Sequence, residues 1–471
     1  MALKILSRRE FIKSGLAATA GAGIALSGVA PAFALPRETP INSPGLKIKP
    51  GKKALVFIML DGGNDSFNML IPSSAEAYRE YQKTRSNLAI PRDELLPLTG
   101  FKDDQDRTFG LHPAMPELQN LFIRRQASFI ANIAPMIVPV SRQQFRDGSV
   151  TLPLGLMSHA DLFKHWQTAR PGERINRGWF GAISDVLQKN KPVEQIPMNI
   201  SLAGSNIMQN GRDSSSYSIR STGSVGLEIN RTDSDLNRAI LQSFSDLLFR
   251  SYPNDPLKET YQAITHQAQA RYRIFGEATK DVKIQTHFSS SGLSMQLKKV
   301  AQTIKAAETL GMQQQTFFLR YIGWDHHDEL LNNHRNMLGV LSKALGEFQA
   351  ALDELNLAER VITFTGSDFG RTLTSNGNGT DHGWGGNIIV MGDPVLGGRI
   401  FGEYPSLKTG ENNLLDTGNG VLIPTTATDE LYAELALWFG VQQRSLSLLF
   451  PNLGNFCNMD ETSRPLGVLK G

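Results

Sequence analysis

Continuous apolar runs and apolar residues at helical spacing alternate along this chain. Residues 54–60 are apolar without a break, which is typical of a strand that is buried on both faces of a parallel sheet. In the second half, residues 316–322 and 361–365 form similar runs, and apolar residues recur at helical spacing from 337 to 355 between them. This strand–helix–strand order predicts an α/β fold with a doubly wound, mostly parallel sheet.

Shorter segments complete the predicted α/β pattern. Three more runs are rich enough in apolar residues to be strands, at residues 127–133, 198–202 and 387–391. Helical spacing and capping signals predict helices near residues 75–82, 115–125, 158–166 and 431–439. We expect these elements to extend the sheet and to cover its faces.

The segment from about residue 205 to 300 differs from the rest of the chain. Residues 204–235 are dominated by Ser, Asn, Arg and Gly without a period, which predicts a long loop. Helices are predicted from 236 to 282, interrupted by prolines, and again from 293 to 310. We therefore expect a mostly helical insertion within one domain that spans residues 35–471.

The first 34 residues have the pattern of an export signal rather than of a structural element. The stretch Ser-Arg-Arg-Glu-Phe-Ile-Lys at residues 7–13 precedes an apolar run at 16–29 and a small-residue cleavage site at 32–34. The arginine pair in this frame resembles a twin-arginine signal, so we expect a periplasmic or secreted protein. A membrane anchor is the alternative, but the apolar run has about 14 residues, whereas a span needs about 20. No stable transmembrane anchor is therefore expected.

Net charge and cysteine content argue against a nucleic-acid partner and against stabilisation by disulfide bonds. Residues 1–34 carry four basic side chains and one acidic one, so the formal net charge of +3 belongs to the signal. The rest of the chain is close to neutral, and no basic stripe predicts a nucleic-acid partner. Cys457 is the single cysteine, so an internal disulfide is impossible and the core alone must stabilise the fold.

An acidic residue follows each of three predicted strands. Asp61 follows the first strand, Asp325 lies just beyond the strand at 316–322, and Asp368 lies just beyond the strand at 361–365. Ligands of open α/β sheets bind at the carboxyl ends of the strands, so all three carboxylates are predicted at one edge. Each alone could be a turn or helix-capping residue. Together they would repel one another, and a bound cation would remove that penalty.

Histidines accompany two of these acids. Asp325 and His327 are two residues apart, which places both side chains on the same side of an extended segment. His326 would then face away, or would replace His327 if the chain turns here. His382 follows the glycine-rich loop after Asp368. Carboxylates and imidazoles without a thiolate suit Zn, Mn or Mg, and we expect one or two such divalent ions. The remaining histidines that we interpret as ordinary surface or core residues are His112, His165, His266 and His287.

Seven motifs, in this order, resemble the domain of unknown function 1501 family over nearly the whole chain after the signal. They are LDGGNDSFNMLIP, GLHPAMPELQNLF, SHADLFKHWQTA, GWDHHDEL, TGSDFGR, GTDHGWGG and VLIPTTATDELYAELALWFGV. That family in turn resembles the alkaline phosphatase-like superfamily of phosphatases, sulfatases and phosphoglycerate mutases. The resemblance implies a doubly wound sheet with a metal site at its carboxyl edge.

The resemblance also implies roles for individual residues. It assigns Asp61 and Asp368 to one metal ion, and Asp325, His327 and His382 to another.

Two positions depart from the superfamily pattern. Ser158 is implied as a nucleophile at the head of a helix, but it lies unusually far from Asp61 along the chain. It is also interpretable as a helix N-cap. Phe369 stands where the superfamily has a histidine after the late acid, so the missing imidazole would have to come from elsewhere, for example from His159.

These features predict an exported metal-dependent hydrolase of phosphate or sulfate esters, acting on a small-molecule or polymer-linked anionic ester. Arg371 is the candidate for binding the non-bridging oxygens of the ester, with a structural ion pair to Asp368 as the alternative. Two ions about 4 Å apart could stabilise the entering and leaving oxygens. The alternative function is a catalytically silent metal-binding scaffold or assembly protein on the same fold, with a protein partner.

Overall fold

The structure of the protein is a computed structural model that describes residues 51–189, 196–225, 234–458 and 464–470. The predicted export signal at residues 1–34 lies outside the described residues and stays a prediction. In the part of the chain that is described, no helix is both long and apolar enough to cross a membrane.

The uninterrupted apolar run near residue 54 forms the central strand β1, as its pattern predicts. The described strands are β1 (Lys53–Asp61), β2 (Leu70–Pro72), β3 (Leu96–Pro97), β4 (Phe109–Leu111), β5 (Ala127–Ala134), β6 (Asn199–Ser201), β7 (Tyr217–Arg220), β8 (Gly223–Ser224), β9 (Gln314–Ile322), β10 (Val361–Ser367), β11 (Gly386–Met391), β12 (Ile400–Phe401) and β13 (Thr426–Ala427). Every residue of β1 before Asp61 is buried.

The main sheet is mostly parallel. Its order is β12-β5-β11-β10-β1-β9-β6-β7-β8, and β13 also pairs with β5. β1 lies between β9 and β10 and is parallel to both. β11 is antiparallel to both of its neighbours, and β8 is antiparallel to β7. β2, β4 and β3 form a separate small sheet.

Helices cover the sheet on both faces. The described helices are α1 (Ala75–Arg85), α2 (Pro116–Ile123), α3 (Arg142–Asp147), α4 (His159–Thr168), α5 (Trp179–Gln188), α6 (Asp235–Phe249), α7 (Pro256–Lys280), α8 (Gly292–Lys305), α9 (Leu330–Glu354), α10 (Thr428–Phe439) and α11 (Leu446–Leu449).

Alternate side chains of β1 enter two separate cores, because successive residues of a strand point to opposite faces. Val56 and Ile58 pack in the core that contains the buried faces of α2, α8 and α9. Phe57 and Met59 pack in the core that contains α5, α10 and Trp166 of α4. Full burial of each such side chain stabilises the fold by roughly 1.5–3 kcal/mol. The predicted doubly wound α/β fold class is confirmed.

The segment around residues 205–300 is largely helical, but it is not wholly separate from the core. The predicted long loop contains β7, which pairs with β6 of the main sheet through Tyr217 and Ser218 and buries Ile219. The apolar pattern of this segment did not predict the pairing of β6 with β7. Both strands are short, and such strands are stabilised by packing against neighbouring elements rather than by a pattern of their own. α8 packs against α9 through residues such as Leu297. The limits of the predicted insertion stay a prediction.

Candidate metal centre

Parallel pairing brings the carboxyl ends of β1, β9 and β10 to one edge of the sheet, and the three predicted acids lie there. Asp61 is the last residue of β1, and its carbonyl accepts hydrogen bonds from the N–H groups of Gly323 and Trp324, each at 3.1 Å. Those bonds turn the chain after β9 towards β1. Gly62 has φ +126°, and a Cβ there would lie 2.5 Å from the Asp325 nitrogen, so this close approach requires glycine.

Imidazole Nε2 atoms converge on one another and on a carboxylate at this edge. His382 Nε2 lies 3.1 Å from His159 Nε2 and 3.0 Å from His327 Nε2. Asp325 Oδ1 lies 3.0 Å from His327 Nε2, and Asp325 Oδ2 lies 3.4 Å from His159 Nε2. Neighbouring ligands of a tetrahedral ion with bonds of about 2.1 Å lie about 3.4 Å apart. We call His159, Asp325, His327 and His382 the candidate metal centre.

Each imidazole of the candidate metal centre uses its other nitrogen for a hydrogen bond. The Nδ1–H of His159 donates to Asp368 Oδ2 at 2.6 Å, and that of His382 donates to the Met157 carbonyl at 2.9 Å. His327 Nδ1 lies 3.1 Å from Asp381 Oδ1. Such partners leave the Nε2 lone pairs facing inwards and are typical of metal-binding histidines.

These residues fit a divalent metal ion. Ligand atoms of His159, Asp325 and His382 all lie within 4.8 Å of one another, which makes them a candidate group among the described residues. Lone pairs that face each other at about 3 Å repel unless a proton or a cation lies between them. Burial lowers the pKa of His382, although its hydrogen bond to Met157 opposes this, and the neutral imidazole is the form that binds a metal.

Arg371 holds Asp325 in place. Its Nη1–H donates to Asp325 Oδ1 at 2.6 Å and to the Gly62 carbonyl at 3.3 Å. Its other donors bind Thr380, and the side chain is 0% exposed. Burial opposes ionisation of Asp325, but the hydrogen bond and the charge of Arg371 outweigh burial and lower the pKa of this carboxyl.

The buried guanidinium of Arg371 has no donor facing solvent, which differs from its predicted role in binding an ester. The structural ion pair that sequence offers as the alternative exists, but its partner is Asp325 rather than Asp368. We therefore interpret Arg371 as a positioning residue for Asp325.

The other two predicted acids have partners within the protein. Asp368 is fully buried and accepts hydrogen bonds from His159 and from the Gly62 N–H at 3.2 Å. Burial raises the pKa of Asp368, and the hydrogen bond from His159 opposes that shift. The same bond raises the pKa of His159. Asp61 accepts from Arg320, with 3.0 Å between Arg320 Nε and Asp61 Oδ2.

Ser158 is the N-cap residue of α4, yet its side chain makes no capping hydrogen bond. The preceding Met157 has φ +66°, an uncommon conformation for a residue with a side chain, and its carbonyl accepts from His382. The turn before α4 thus contributes both to the candidate metal centre and to the position of Ser158.

Three residues of this edge carry more weight than their sequence signals suggested. The sequence indicates His159 only as a possible substitute ligand, and Asp381 only as part of the GTDHGWGG motif. Arg320 is missed, although a charged residue within the apolar run of β9 indicates a nearby acid.

A second group of imidazoles lies behind the first. His112, His326 and His334 are buried, and their ring centroids are 5.9 Å apart for both the His112–His334 and the His326–His334 pair. Burial lowers the pKa of His112 to about 4 and lowers that of His334 as well. His334 Nε2–H donates to Asn64 Oδ1 at 2.9 Å. We call these three residues the buried imidazole cluster.

A cleft opens beside the candidate metal centre. Its volume is about 470 Å³, and Asp325 and His327 belong to both its wall and the centre. The remainder of the wall includes Asn333, Asn336 and Met337 near the start of α9. This cleft could admit the organic part of a ligand whose reactive group reaches the centre.

Comparison with known proteins identifies a family but no curated relative. A family model described as "Protein of unknown function (DUF1501)" matches residues 52–445. No curated protein sequence matches the chain.

Several solved structures show a weak overall likeness. PsFucS1 sulfatase from Pseudoalteromonas sp. is 11% identical, with a TM-score of 0.35 over 89% of this chain and 74% of that one. A protein of the alkaline phosphatase superfamily from Vibrio parahaemolyticus is 11% identical, with a TM-score of 0.31 over 76% and 64%. The lipoteichoic acid synthase LtaP from Listeria monocytogenes is 12% identical, with a TM-score of 0.29 over 79% and 76%. Similarity at this level does not transfer a neighbour's activity to this chain.

Proposed function

This chain belongs to the DUF1501 family, and from the geometry of its candidate metal centre we propose that it is an exported metal-dependent hydrolase of phosphate or sulfate esters. The family predicted from the seven motifs is thereby confirmed, whereas the activity is our proposal. The observation that carries it is the meeting of three imidazole Nε2 atoms with Asp325 while each Nδ1 has an acceptor of its own.

The proposal assigns binding of a divalent ion, Zn, Mn or Mg, to the candidate metal centre. When bound, such an ion would polarise a phosphoryl or sulfuryl oxygen and lower the pKa of a coordinated water or hydroxyl. Asp368, Asp381 and the Met157 carbonyl keep the imidazoles oriented. Arg371 keeps the carboxylate of Asp325 directed at the same point.

Ser158 is the proposed nucleophile, with a water molecule as the alternative. Its hydroxyl makes no capping hydrogen bond and directly precedes His159 in the chain. The N-terminus of α4 carries a partial positive charge, which favours an anionic oxygen near Ser158. The proposed substrate is a small-molecule or polymer-linked anionic ester. Its organic part would lie in the cleft of about 470 Å³.

A catalytically silent metal-binding scaffold is the second candidate function. It is favoured by the burial of Arg371, because the one arginine predicted to bind the ester is committed to Asp325 and Thr380. Phe369, which supplies no ligand next to Asp368, favours it as well. A scaffold would keep the ion for structure and bind a protein partner instead of an ester.

Metal content and turnover, measured on the same purified exported protein, separate the two functions. The protein is dialysed against Zn²⁺, Mn²⁺ or Mg²⁺, its metal is counted by mass spectrometry, and aryl phosphates, phosphodiesters and sulfates are offered as substrates. Asp325→Asn should lower kcat/KM by about 100-fold or more, because the remaining ligands hold an ion weakly. His287→Ala, at an exposed histidine outside the centre, is the matched control. A fully loaded protein that hydrolyses none of these esters would support the scaffold.

A further inference from the structure

The family resemblance assigns Asp61 and Asp368 to a metal ion of their own, but both already have partners in the protein. Asp61 Oδ2 accepts hydrogen bonds from Arg320, through Nε at 3.0 Å and also through Nη2. Asp368 Oδ2 accepts from the Gly62 N–H at 3.2 Å and from His159 Nδ1–H at 2.6 Å. Asp61 therefore has a positive charge beside it within the protein, and Asp368 has two N–H donors on Oδ2.

Contacts on two sides hold the side chain of Arg320 in a defined position at this edge of the sheet. It is 36% exposed, and its guanidinium carbon lies 4.9 Å from the centroid of the Phe163 ring on α4. That stacking, together with two N–H donors on one carboxylate oxygen, fixes the guanidinium beside Asp61. A divalent ion on Asp61 would lie next to this positive charge and would be repelled by it.

Phe369 removes a further ligand from the same place. Its ring centroid lies 4.7 Å from that of His159 and 4.5 Å from that of His382. A Cβ on Gly63 would lie 2.5 Å from the Phe369 ring, so the phenyl group packs closely in this corner. A phenyl ring cannot bind a metal ion, and the Nδ1–H of the neighbouring His159 already donates to Asp368, so an ion at Asp61 and Asp368 would lack an imidazole.

One carboxylate oxygen of Asp368 favours a second ion. Asp368 Oδ1 is buried and has no hydrogen-bond partner among the described residues, as would suit an ion or a buried water molecule. The number of ions that the protein binds decides between these readings of the carboxylate.

We infer that this protein holds a single metal ion in the candidate metal centre and that the Arg320 guanidinium, bound to Asp61, takes the place of a second ion. Asp368 is then a positioning residue that acts through His159, in a carboxylate–imidazole–metal arrangement. The inference rests on the proposed metal-dependent function, since it concerns the number of ions in the same site.

Metal stoichiometry of the full chain tests the inference. Protein equilibrated with excess Zn²⁺ and freed of loosely bound metal should contain one ion per chain. Arg320→Met keeps the apolar stem but removes the charge, so it should bind a second, weaker ion at Asp61 and Asp368. Arg320→Lys keeps the charge and should remain at one ion per chain. Two ions in the wild-type protein, or one ion in Arg320→Met at saturating Zn²⁺, would overturn the inference.

A second variant covers the case in which Arg320→Met does not fold, as judged by circular dichroism. Asp61→Asn should retain one ion with an affinity within about three-fold of wild type, because Asp61 is no ligand. Loss of an ion from Asp61→Asn would refute the single-ion site. The count is independent of turnover. One ion without ester hydrolysis removes the proposed enzyme and keeps this inference, whereas two ions with hydrolysis do the reverse.

Discussion

His326 and His327 are neighbours in the chain, yet they belong to two groups of imidazoles with opposite surroundings. His327 is exposed, and its Nε2 faces His382 while its Nδ1 faces Asp381. His326 is 5% exposed and packs near the rings of Trp324 and His334. Within the described part of the chain, neither of its nitrogens has a hydrogen-bond partner of good geometry. Burial lowers the pKa of His326.

This contrast shows what separates a candidate ligand from a core histidine. In the candidate metal centre, every Nδ1 has an acceptor and the Nε2 atoms point at one another. In the buried imidazole cluster, the rings meet edge to face at 5.9 Å for both pairs that contain His334. Both groups contain three histidines, but the ring centroids are 4.4 Å and 4.9 Å apart in the candidate metal centre and 5.9 Å apart in the buried imidazole cluster. The closer approach, together with an acceptor on every Nδ1, is the informative feature.

Removal of the imidazole at the middle of the candidate metal centre should give the largest effect. His382 contacts both His159 and His327 through Nε2, so His382→Ala should weaken metal binding by about 100-fold or more. Titration against a chelator of known affinity measures this. The stability of the metal-free protein should change little, because His382 is partly exposed. Unchanged metal affinity would place the ion elsewhere.

The reciprocal change lies in the buried imidazole cluster. His334→Ala should lower the free energy of unfolding by roughly 2–3 kcal/mol, because it leaves a cavity and an unpaired Asn64 oxygen. Urea unfolding of the metal-free protein measures this, with the exposed His287→Ala as the control. Metal affinity should stay within about three-fold of wild type, since only outer partners that touch a ligand alter it more strongly. If His334→Ala lost metal affinity without losing stability, the buried imidazole cluster and the candidate metal centre would have to be one functional group.

The smallest expected effect tests the role of the outer partners. Asp381→Asn keeps an acceptor oxygen for His327 Nδ1 but removes the charge, so metal affinity should fall by about 10-fold. The chelator titration used for His382→Ala also serves here. An exposed acid away from the centre, Glu308, gives the control variant Glu308→Gln. Equal affinities in both variants would mean that Asp381 does not orient His327.

The sequence predicted several residues at this edge of the sheet, but not which side chains pair with one another. Three acids at the ends of three strands follow from the period of the apolar runs and from the rule for parallel sheets. The Asp-x-His spacing predicted that the side chains of His326 and His327 point in opposite directions, because alternate residues of an extended segment point to opposite sides. The pairing of Arg371 with Asp325 and that of Asp61 with Arg320 did not follow, since the partners are 46 and 259 residues apart along the chain.

The sequence by itself determined the α/β class, the order of the main strands and helices, and the strand ends that carry acids. These depend on local periodicity, which a buried strand or an amphipathic helix must show wherever it lies. Only the tertiary structure decided that His159 joins His382, that Arg371 binds Asp325 and that Arg320 binds Asp61. Each of those pairings depends on angstrom-scale distances between segments that come together only when the sheet forms.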